Sequence, residues 1–186
     1  MIELSASQIE KAELLLQDIP GAAPKAMSNA INRAADTART EAARKVRENY
    51  YIRHSDVLAT IKIYRAQPSD LTSKVVSRGH AVNLFKFRVT PNRPQPKRKI
   101  PIVVRVKQGE GGPVKRAFVA KMGSGHVGVF QRAGKRRLPV QELYGPPIPQ
   151  MLGSPSVTQW VEQKAAERLD ERLDHEINRL LERGDT

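Results

Sequence analysis

The hydrophobic positions of the first fifty residues recur at the spacing of an α-helix. A stripe from Ile9 to Ile19 predicts a first helix, which the Pro-Gly pair at 20–21 ends. A second stripe follows Pro24 and runs to Tyr50, and because it is mostly alanine we expect another element to pack closely against it. The alternative is an isolated alanine-rich helix. Two pairs at the start of the first helix have the spacing of a capping box, Ser5 with Gln8 and Ser7 with Glu10.

From about Leu58 to Val140 the hydrophobic period changes to two, with apolar residues alternating with basic ones. We therefore predict an antiparallel sheet with one apolar face and one basic face. The proline-rich, basic segment 90–99 is predicted to be an exposed loop, and the glycine-rich segment 108–113 a hairpin tip. The strand candidates are 61–64, 85–89, 102–107, 114–122 and 127–132.

A proline-rich passage at 143–153 leads to a last helix that opens near Ser154 or Ser156. One face of this helix is apolar and the other carries alternating charges, which is typical of an amphipathic helix. Such a face packs either on the sheet of the same chain or against a partner or a second copy. The apolar face consists of Trp160, Val161, Ala165, Leu169, Leu173, Ile177, Leu180 and Leu181.

These patterns together predict an α+β fold, an antiparallel sheet of about five or six strands flanked by a long N-terminal helical region and a C-terminal amphipathic helix. The 186 residues suit a single domain over 1–186. Its predicted parts are a helical N-terminal region (1–56), a basic β-sheet region (57–141), a Pro-rich connector (142–153) and a C-terminal helix (154–184).

Several classes of protein are disfavoured by the sequence. The chain has no cysteine, which excludes disulfides, thiolate metal sites and cysteine nucleophiles. No stretch is apolar enough for a membrane span, and acids stand where a signal peptide has a basic start. We therefore expect a protein that is neither exported nor embedded in a membrane.

Motifs that would indicate catalysis are weak. The segment GSGHVG at 123–128 fits the dinucleotide pattern GxGxxG, but a strand-like segment follows it where that site needs a helix, so we interpret it as a hairpin turn. We predict no enzymatic activity, no cofactor and no metal site. The histidines have no ligand spacing and no adjacent carboxylate pattern, and are interpreted as surface or capping residues: His54, His80, His126 and His175.

The net charge of +13 is concentrated in one part of the chain. Between Lys86 and Arg137 there are fifteen Lys or Arg and one acid, Glu110, which gives +14 and leaves −1 for the rest. Such a segment fits an acidic partner, which is nucleic acid, an anionic protein surface or a membrane leaflet.

Two groups of residues are predicted to make contacts. The sequence places no aromatic residue on the basic face, which disfavours base stacking and leaves DNA and acidic protein equally open as partners. The contacts to DNA or an acidic partner are predicted for Lys86, Arg88, Lys97, Arg98, Lys99, Arg105, Lys107, Lys135, Arg136 and Arg137. Packing between subunits is predicted for Ala34, Ala38, Ala42, Trp160, Leu169, Leu173 and Ile177.

Four stretches resemble one known family in the order in which they occur along the chain. They are PKAMSNAINRAADTARTEAAR at 24–44, AFVA at 117–120, VFQRAGKRRLPVQELYGPPIPQML at 129–152 and LDHEINRLL at 173–181. With them, the sequence resembles the minor tail protein Z family of tailed phages and prophages. The resemblance spans nearly the whole chain.

The resemblance implies a structural virion protein that completes the head-proximal end of the tail and supports head-tail joining. It implies a homo-oligomeric ring beside the tail terminator and the neck or connector proteins, near the tape measure protein and the phage DNA in the tail lumen, without a membrane. The protein would reside in the virion, and in the host cytoplasm during assembly. The family is not defined by catalytic residues. The alternative from another class is a sequence-independent nucleic-acid-binding protein.

Overall fold

The structure is a computed structural model that describes residues 1–184. It is an α+β protein with antiparallel strand pairs, which confirms the predicted fold class. In chain order its elements are α1 (Ala6–Leu15), α2 (Ala22–Asn49), α3 (His54–Leu58), β1 (Ile61–Tyr64), β2 (Lys74–Ser77), β3 (Val82–Asn83), a 3-10 helix (Leu84–Lys86), β4 (Arg88–Thr90), β5 (Ile102–Arg105), β6 (Gly112–Val114), β7 (Ala117–Lys121), β8 (Val127–Arg132), β9 (Val140–Glu142), β10 (Tyr144–Gly145), α4 (Ile148–Leu152) and α5 (Pro155–Gly184).

The chain divides into two compact units, and each of them combines segments that are distant in sequence. The helical unit consists of Met1–Ala43, Ile61–Ser77 and Ser154–Thr186. The β unit consists of Arg44–Thr60 and Arg78–Gly153. This division does not follow the order of the predicted helical and basic regions, because the β1–β2 hairpin belongs to the helical unit. The single-domain organisation stays a prediction.

The first helix begins where the sequence indicates. The Ser5 hydroxyl accepts a hydrogen bond from the Gln8 backbone N–H at 3.3 Å, and the Gln8 side-chain oxygen accepts one from the Ser5 N–H at 2.8 Å. This reciprocal pair satisfies two N–H groups that a helix start leaves without intrahelical partners. Of the two predicted capping boxes, the one formed by Ser5 and Gln8 is the one that caps α1.

The alanine stripe of α2 lies in the core of the helical unit. Its small side chains share one buried cluster with Leu169, Leu173 and Ile177 of α5, with α1, and with Ala66. Alanine side chains occupy little volume, so the larger side chains of α5 fill the space between the helices. The close approach predicted for the stripe is confirmed, and the isolated helix is wrong. Within the helical unit, the apolar residues Leu169, Leu173 and Ile177 of α5 pack with helices α1 and α2.

Within residues 1–184, ten strands form four small antiparallel sheets rather than one sheet of five or six strands. In the β unit the sheets are β4-β5-β6, β7-β8-β9 and the pair β3-β10. Two local features interrupt the predicted strands. The Asn83 side chain accepts the Phe85 N–H at 2.7 Å and opens the 3-10 helix, so the strand predicted at 85–89 is reduced to β4. Arg116, with φ of 59°, turns the chain between β6 and β7.

The hairpin turn within GSGHVG and the last helix are confirmed, whereas the tip predicted at 108–113 is shorter, because Gly112 and Pro113 already pair in β6. Several short elements were not predicted. Residues 123–125 join β7 to β8 as a hairpin turn, with Gly125 at a φ of 85° that favours glycine. The Pro-rich connector contains β10 and α4, and Ile148 and Met151 of α4 are buried. Among the described helices, none combines the length and apolarity that crossing a membrane requires.

Candidate interaction surface

The basic residues of the protein are concentrated in the β unit. This unit has 20 Lys and Arg against 4 Asp and Glu, a formal charge of +16, and the helical unit has 12 against 15, a charge of −3. Each of the four acids of the β unit lies beside a base of the same unit: Lys45 with Glu48 (2.9 Å), Lys86 with Asp56 (2.9 Å), Lys107 with Glu110 (3.9 Å) and His126 with Glu142 (2.5 Å). The excess positive charge is therefore left without acids to neutralise it within the unit.

Arg88 and Arg105 lie directly opposite each other on the paired strands β4 and β5. Like charges at opposing positions repel, so this pair costs stability unless an anion lies near it. The Arg88 guanidinium is 5.4 Å from the centre of the Tyr51 ring. Arg88 and Arg105 both lie in strands, as the alternating pattern predicts, and their contact with a partner stays a prediction.

The expectation that no aromatic residue lies among these bases is wrong. Tyr51 lies beside Arg88, and Phe118 lies 5.9 Å from the guanidinium carbon of Arg132 on the neighbouring strand of its sheet. Tyr51 follows the second helix in sequence, where the alternating pattern gave no sign of it, and its N–H donates to the Val106 carbonyl at 2.8 Å. Tyr51 and Arg132 are thus surface candidates that the sequence reasoning missed.

Two predicted contact residues have roles within the chain. Lys86 lies in the 3-10 helix rather than on an open sheet face, and its ammonium group pairs with Asp56. Lys107 lies outside the strands, forms an isolated β-bridge with Tyr50, and has its ammonium group 3.9 Å from the Glu110 carboxylate. Both side chains are about half exposed, so these ion pairs contribute little to stability.

The loop 91–101 between β4 and β5 presents the first basic cluster. Lys97 and Lys99 are exposed and have no acid or hydrogen-bond partner among the described residues. Arg98 differs, because its guanidinium donates to the Thr90 carbonyl at 3.3 Å and to the Pro101 carbonyl. Arg98 therefore ties the two ends of the loop together and holds its neighbours in position.

The segment 133–139 between β8 and β9 presents the second cluster. Lys135, Arg136 and Arg137 are exposed, and the described part of the chain offers them no ion pair or hydrogen bond. The segment is tied at its ends, where the Ala133 N–H donates to the Pro139 carbonyl at 3.1 Å. Three cations in succession are thus presented to solvent on a closed loop.

Glu142 is the centre of a polar cluster that the sequence did not predict. Its carboxylate accepts hydrogen bonds from His126 Nε2 at 2.5 Å, from the Tyr144 hydroxyl at 2.7 Å and from the Asn83 amide. Burial opposes ionisation of Glu142, but these hydrogen bonds and the His126 charge outweigh it and lower the pKa of Glu142. The hydrogen bond to Glu142 raises the pKa of Tyr144. A side chain at Gly128 would collide with the Glu142 carboxylate, so the last glycine of GSGHVG has a packing role.

This cluster joins residues of separate strands. His126 is exposed, as predicted for a surface residue, and it pairs with a carboxylate sixteen residues away along the chain. Nowhere in residues 1–184 do three or more His, Asp or Glu side chains group as ligands for a metal ion. The hydrogen bonds of Glu142 connect β9 with the residue that precedes β8 and with the β3–β10 pair.

The helical unit contains a polar cleft of about 390 Å³. Buried Glu176 accepts hydrogen bonds there from Arg179 at 2.5 Å and Asn29 at 3.1 Å, and Asp36 pairs with Arg65 at 2.8 Å. Most charges of the cleft are therefore compensated inside the unit. The full lining is Asn29, Asn32, Arg33, Asp36, Arg65, Glu176 and Arg179.

The residues predicted to pack subunits together lie inside one chain. Trp160 is half-buried, and its indole N–H donates to the Glu41 carboxylate at 2.9 Å. A contact between subunits through these side chains stays a prediction, and it would require the core to open. The other six are buried in the helical unit: Ala34, Ala38, Ala42, Leu169, Leu173 and Ile177.

Comparison with known proteins identifies the family. No curated protein and no solved structure matches the chain. A family model described as prophage minor tail protein Z matches residues 9–183, which is nearly the full length and confirms the resemblance seen in the sequence. The chain therefore belongs to the prophage minor tail protein Z family, whose members are structural proteins of phage tails.

Proposed function

We propose that this protein completes the head-proximal end of a phage tail and supports the joining of the tail to a DNA-filled head. The observation that carries the proposal is the β unit, whose charge of +16 has few acids within the unit to balance it. Exposed cations without internal partners favour association with an anionic neighbour. At this end of the tail, that neighbour is DNA in the lumen or an acidic rim of another tail protein.

In this proposal the protein acts as a subunit of a ring within the virion. Its neighbours are the tail terminator, the neck or connector proteins and the tape measure protein. Since the apolar faces of α2 and α5 are used within one chain, the subunit contacts come from exposed surface. No residue is assigned a catalytic, cofactor-binding or metal-binding role.

The test is an add-back assay. Purified protein is mixed with heads and tails from a phage that lacks this gene, and joined, infectious particles are counted. Recovery of infectious particles supports the proposal. If heads and tails are intact, the added protein is folded and no particles are recovered, the proposal is wrong.

A charge-reversal variant tests the role of the basic loops in the same assay. Lys97→Glu, Arg136→Glu and Arg137→Glu change exposed cations and spare Arg98, which holds its own loop. We expect the triple variant to fold and to restore few particles. A matched control reverses three exposed lysines of the helical unit, Lys25, Lys62 and Lys74, with the same change in net charge. Equal recovery with both variants would show that the loops are not the contact.

A sequence-independent nucleic-acid-binding protein is the second candidate. The contact of Arg88 with Tyr51 favours it, because an arginine beside an aromatic ring is a surface on which a nucleic acid can bind. In this case the affinity for DNA falls by orders of magnitude between about 50 and 200 mM salt. An assembly protein that is held in part by apolar contacts stays bound over the same range.

A further inference from the structure

The two basic loops share a sequence pattern. Residues 97–102 read KRKIPI and residues 135–140 read KRRLPV. Each has three bases, one aliphatic residue, one proline and then a residue of a strand, Ile102 of β5 or Val140 of β9. Ile100 and Leu138 therefore occupy equivalent positions in the two sequence patterns, each between three bases and a proline.

Both aliphatic side chains are exposed to solvent. Ile100 is 73% exposed and Leu138 is 67% exposed, whereas Ile102 is 2% exposed. Within the described part of the β unit, these two are the only large aliphatic side chains that are exposed. Scattered exposed hydrophobic residues are normal on a protein surface. Here, however, each of them directly follows three bases.

The neighbouring cations are available for a partner. In the described structure Lys99 has no acid beside it, and neither have Arg136 and Arg137. Each loop therefore presents an aliphatic side chain next to uncompensated positive charge. Phosphates along a DNA backbone satisfy the cations but bury no aliphatic group. A protein surface with carboxylates around a small apolar pocket satisfies both.

We propose, on the basis of the tail function proposed above, that the two loops dock on an acidic protein surface at the tail end, with Ile100 and Leu138 inserted in apolar pockets. The cations speed the encounter and make it sensitive to salt. Buried aliphatic groups at the centre of such a contact slow its dissociation. The cations are therefore expected to act mainly on the association rate, and the aliphatic side chains mainly on the dissociation rate.

The experiment measures binding of purified protein to immobilised tails that lack it. The test variant carries Ile100→Ser and Leu138→Ser. The control carries Leu14→Ser and Leu15→Ser, which remove two exposed aliphatic groups from the helical unit. Circular dichroism establishes that both variants are folded. We expect the test variant to bind about tenfold or more weakly, through faster dissociation, at salt concentrations where the control binds like wild type.

Two further probes separate the partner classes. A short DNA duplex should bind the test variant and the wild type equally, since phosphates do not contact the aliphatic groups. Vesicles with anionic lipids should likewise bind the test variant and the wild type equally, through the cations that both proteins retain. Loss of DNA or vesicle binding in the test variant, without loss of tail binding, would assign Ile100 and Leu138 to those surfaces and overturn the inference.

The failure of this inference is distinguishable from the failure of the proposed function. If wild type binds tails and restores particles but the test variant does so equally well, the inference alone is wrong. Equal weakening by the test and control variants also overturns it. If wild type itself neither binds tails nor restores particles, the proposed function is wrong and the inference is wrong with it.

Discussion

The helical unit and the β unit use their charges in different ways. In the helical unit, bases and acids are nearly balanced and pair across the helices, as Lys11 of α1 does with Asp174 of α5 at 2.6 Å. In the β unit, 20 bases share 4 acids. The helical unit satisfies its polar groups internally, whereas the β unit leaves a large positive charge for a neighbour.

This difference indicates a division between stability and binding. A core of interlocked helix faces gives the helical unit its stability, and surface ion pairs add little to it. The β unit has small sheets and long basic loops, and it carries repulsion such as that between Arg88 and Arg105. Such repulsion is relieved when an anionic partner binds, so the same residues that weaken the free β unit favour its assembly.

The largest effect is expected from a cavity in the helical unit. Leu173→Ala removes a side chain that is 2% exposed in the cluster shared by α1, α2 and α5. We expect the free energy of unfolding to fall by about 2 to 5 kcal/mol, measured by chemical denaturation. Leu14→Ala, at a position 65% exposed, is the control and should change it by less than about 0.5 kcal/mol. Similar losses in both variants would contradict the assignment of the core.

A smaller, pH-dependent effect is expected in the β unit from Glu142→Gln. The pKa of Glu142 is lowered in the folded protein, so the ionised form stabilises the fold above the unfolded pKa, and this contribution is lost as the pH falls through the folded value. We expect the variant to lose about 1 to 3 kcal/mol near neutral pH and to show a weaker decline in stability below about pH 4.5. Denaturation at several pH values checks this. If the decline in the free energy of unfolding below about pH 4.5 is the same in the variant and in wild type, Glu142 has no such role.

Two basic residues of one loop, Arg98 and Lys97, are expected to differ in their effect on the stability of the loop. Arg98→Ala removes the hydrogen bonds to the carbonyls of Thr90 and Pro101, and we expect a loss of about 1 kcal/mol and faster amide exchange in residues 91–101. Lys97→Ala should leave both properties unchanged within about 0.5 kcal/mol, since Lys97 lies exposed. Hydrogen-deuterium exchange of the two variants distinguishes them. Equal amide exchange rates in the two variants would show that Arg98 does not hold the loop in position.

The smallest effect is expected with the opposite sign. Arg105→Thr removes one of two like charges at opposing strand positions, so the free protein should become more stable by about 0.2 to 1 kcal/mol. The gain should shrink as salt is added, because screening already weakens the repulsion. Thermal denaturation at low and high salt measures it. A loss of stability at low salt would show that Arg105 makes a favourable contact in the free protein.

Patterns in the sequence predicted the elements whose causes are local. The capping box at Ser5, the alanine stripe of α2 and the amphipathic α5 depend on residues within a few turns of each other. The exposed basic loops were predicted for the same reason, because the effects of proline, glycine and charged residues on the backbone are local. The family was also evident from the sequence, and its match over 9–183 confirms it.

The arrangement of the strands was not predictable in the same way. An alternating pattern marks a strand but not its neighbour, so the sequence predicts one sheet where the structure has four small ones. The hydrogen bond from Asn83 to the Phe85 N–H replaced part of a regular strand with a 3-10 helix, although the apolar alternation continued through it. A local side-chain hydrogen bond there outweighed the periodic signal.

The sequence by itself therefore determined the α+β class, the long helices, the basic excess and the family. Only the tertiary structure decided which charges are neutralised and which are left for a partner. It brought His126 to Glu142 and Tyr51 to Arg88. It also gave Arg98 backbone carbonyl partners that the neighbouring lysines do not have. The physical reason is that periodicity and charge are properties of neighbouring residues, whereas pairing depends on strand register and on contacts between distant segments.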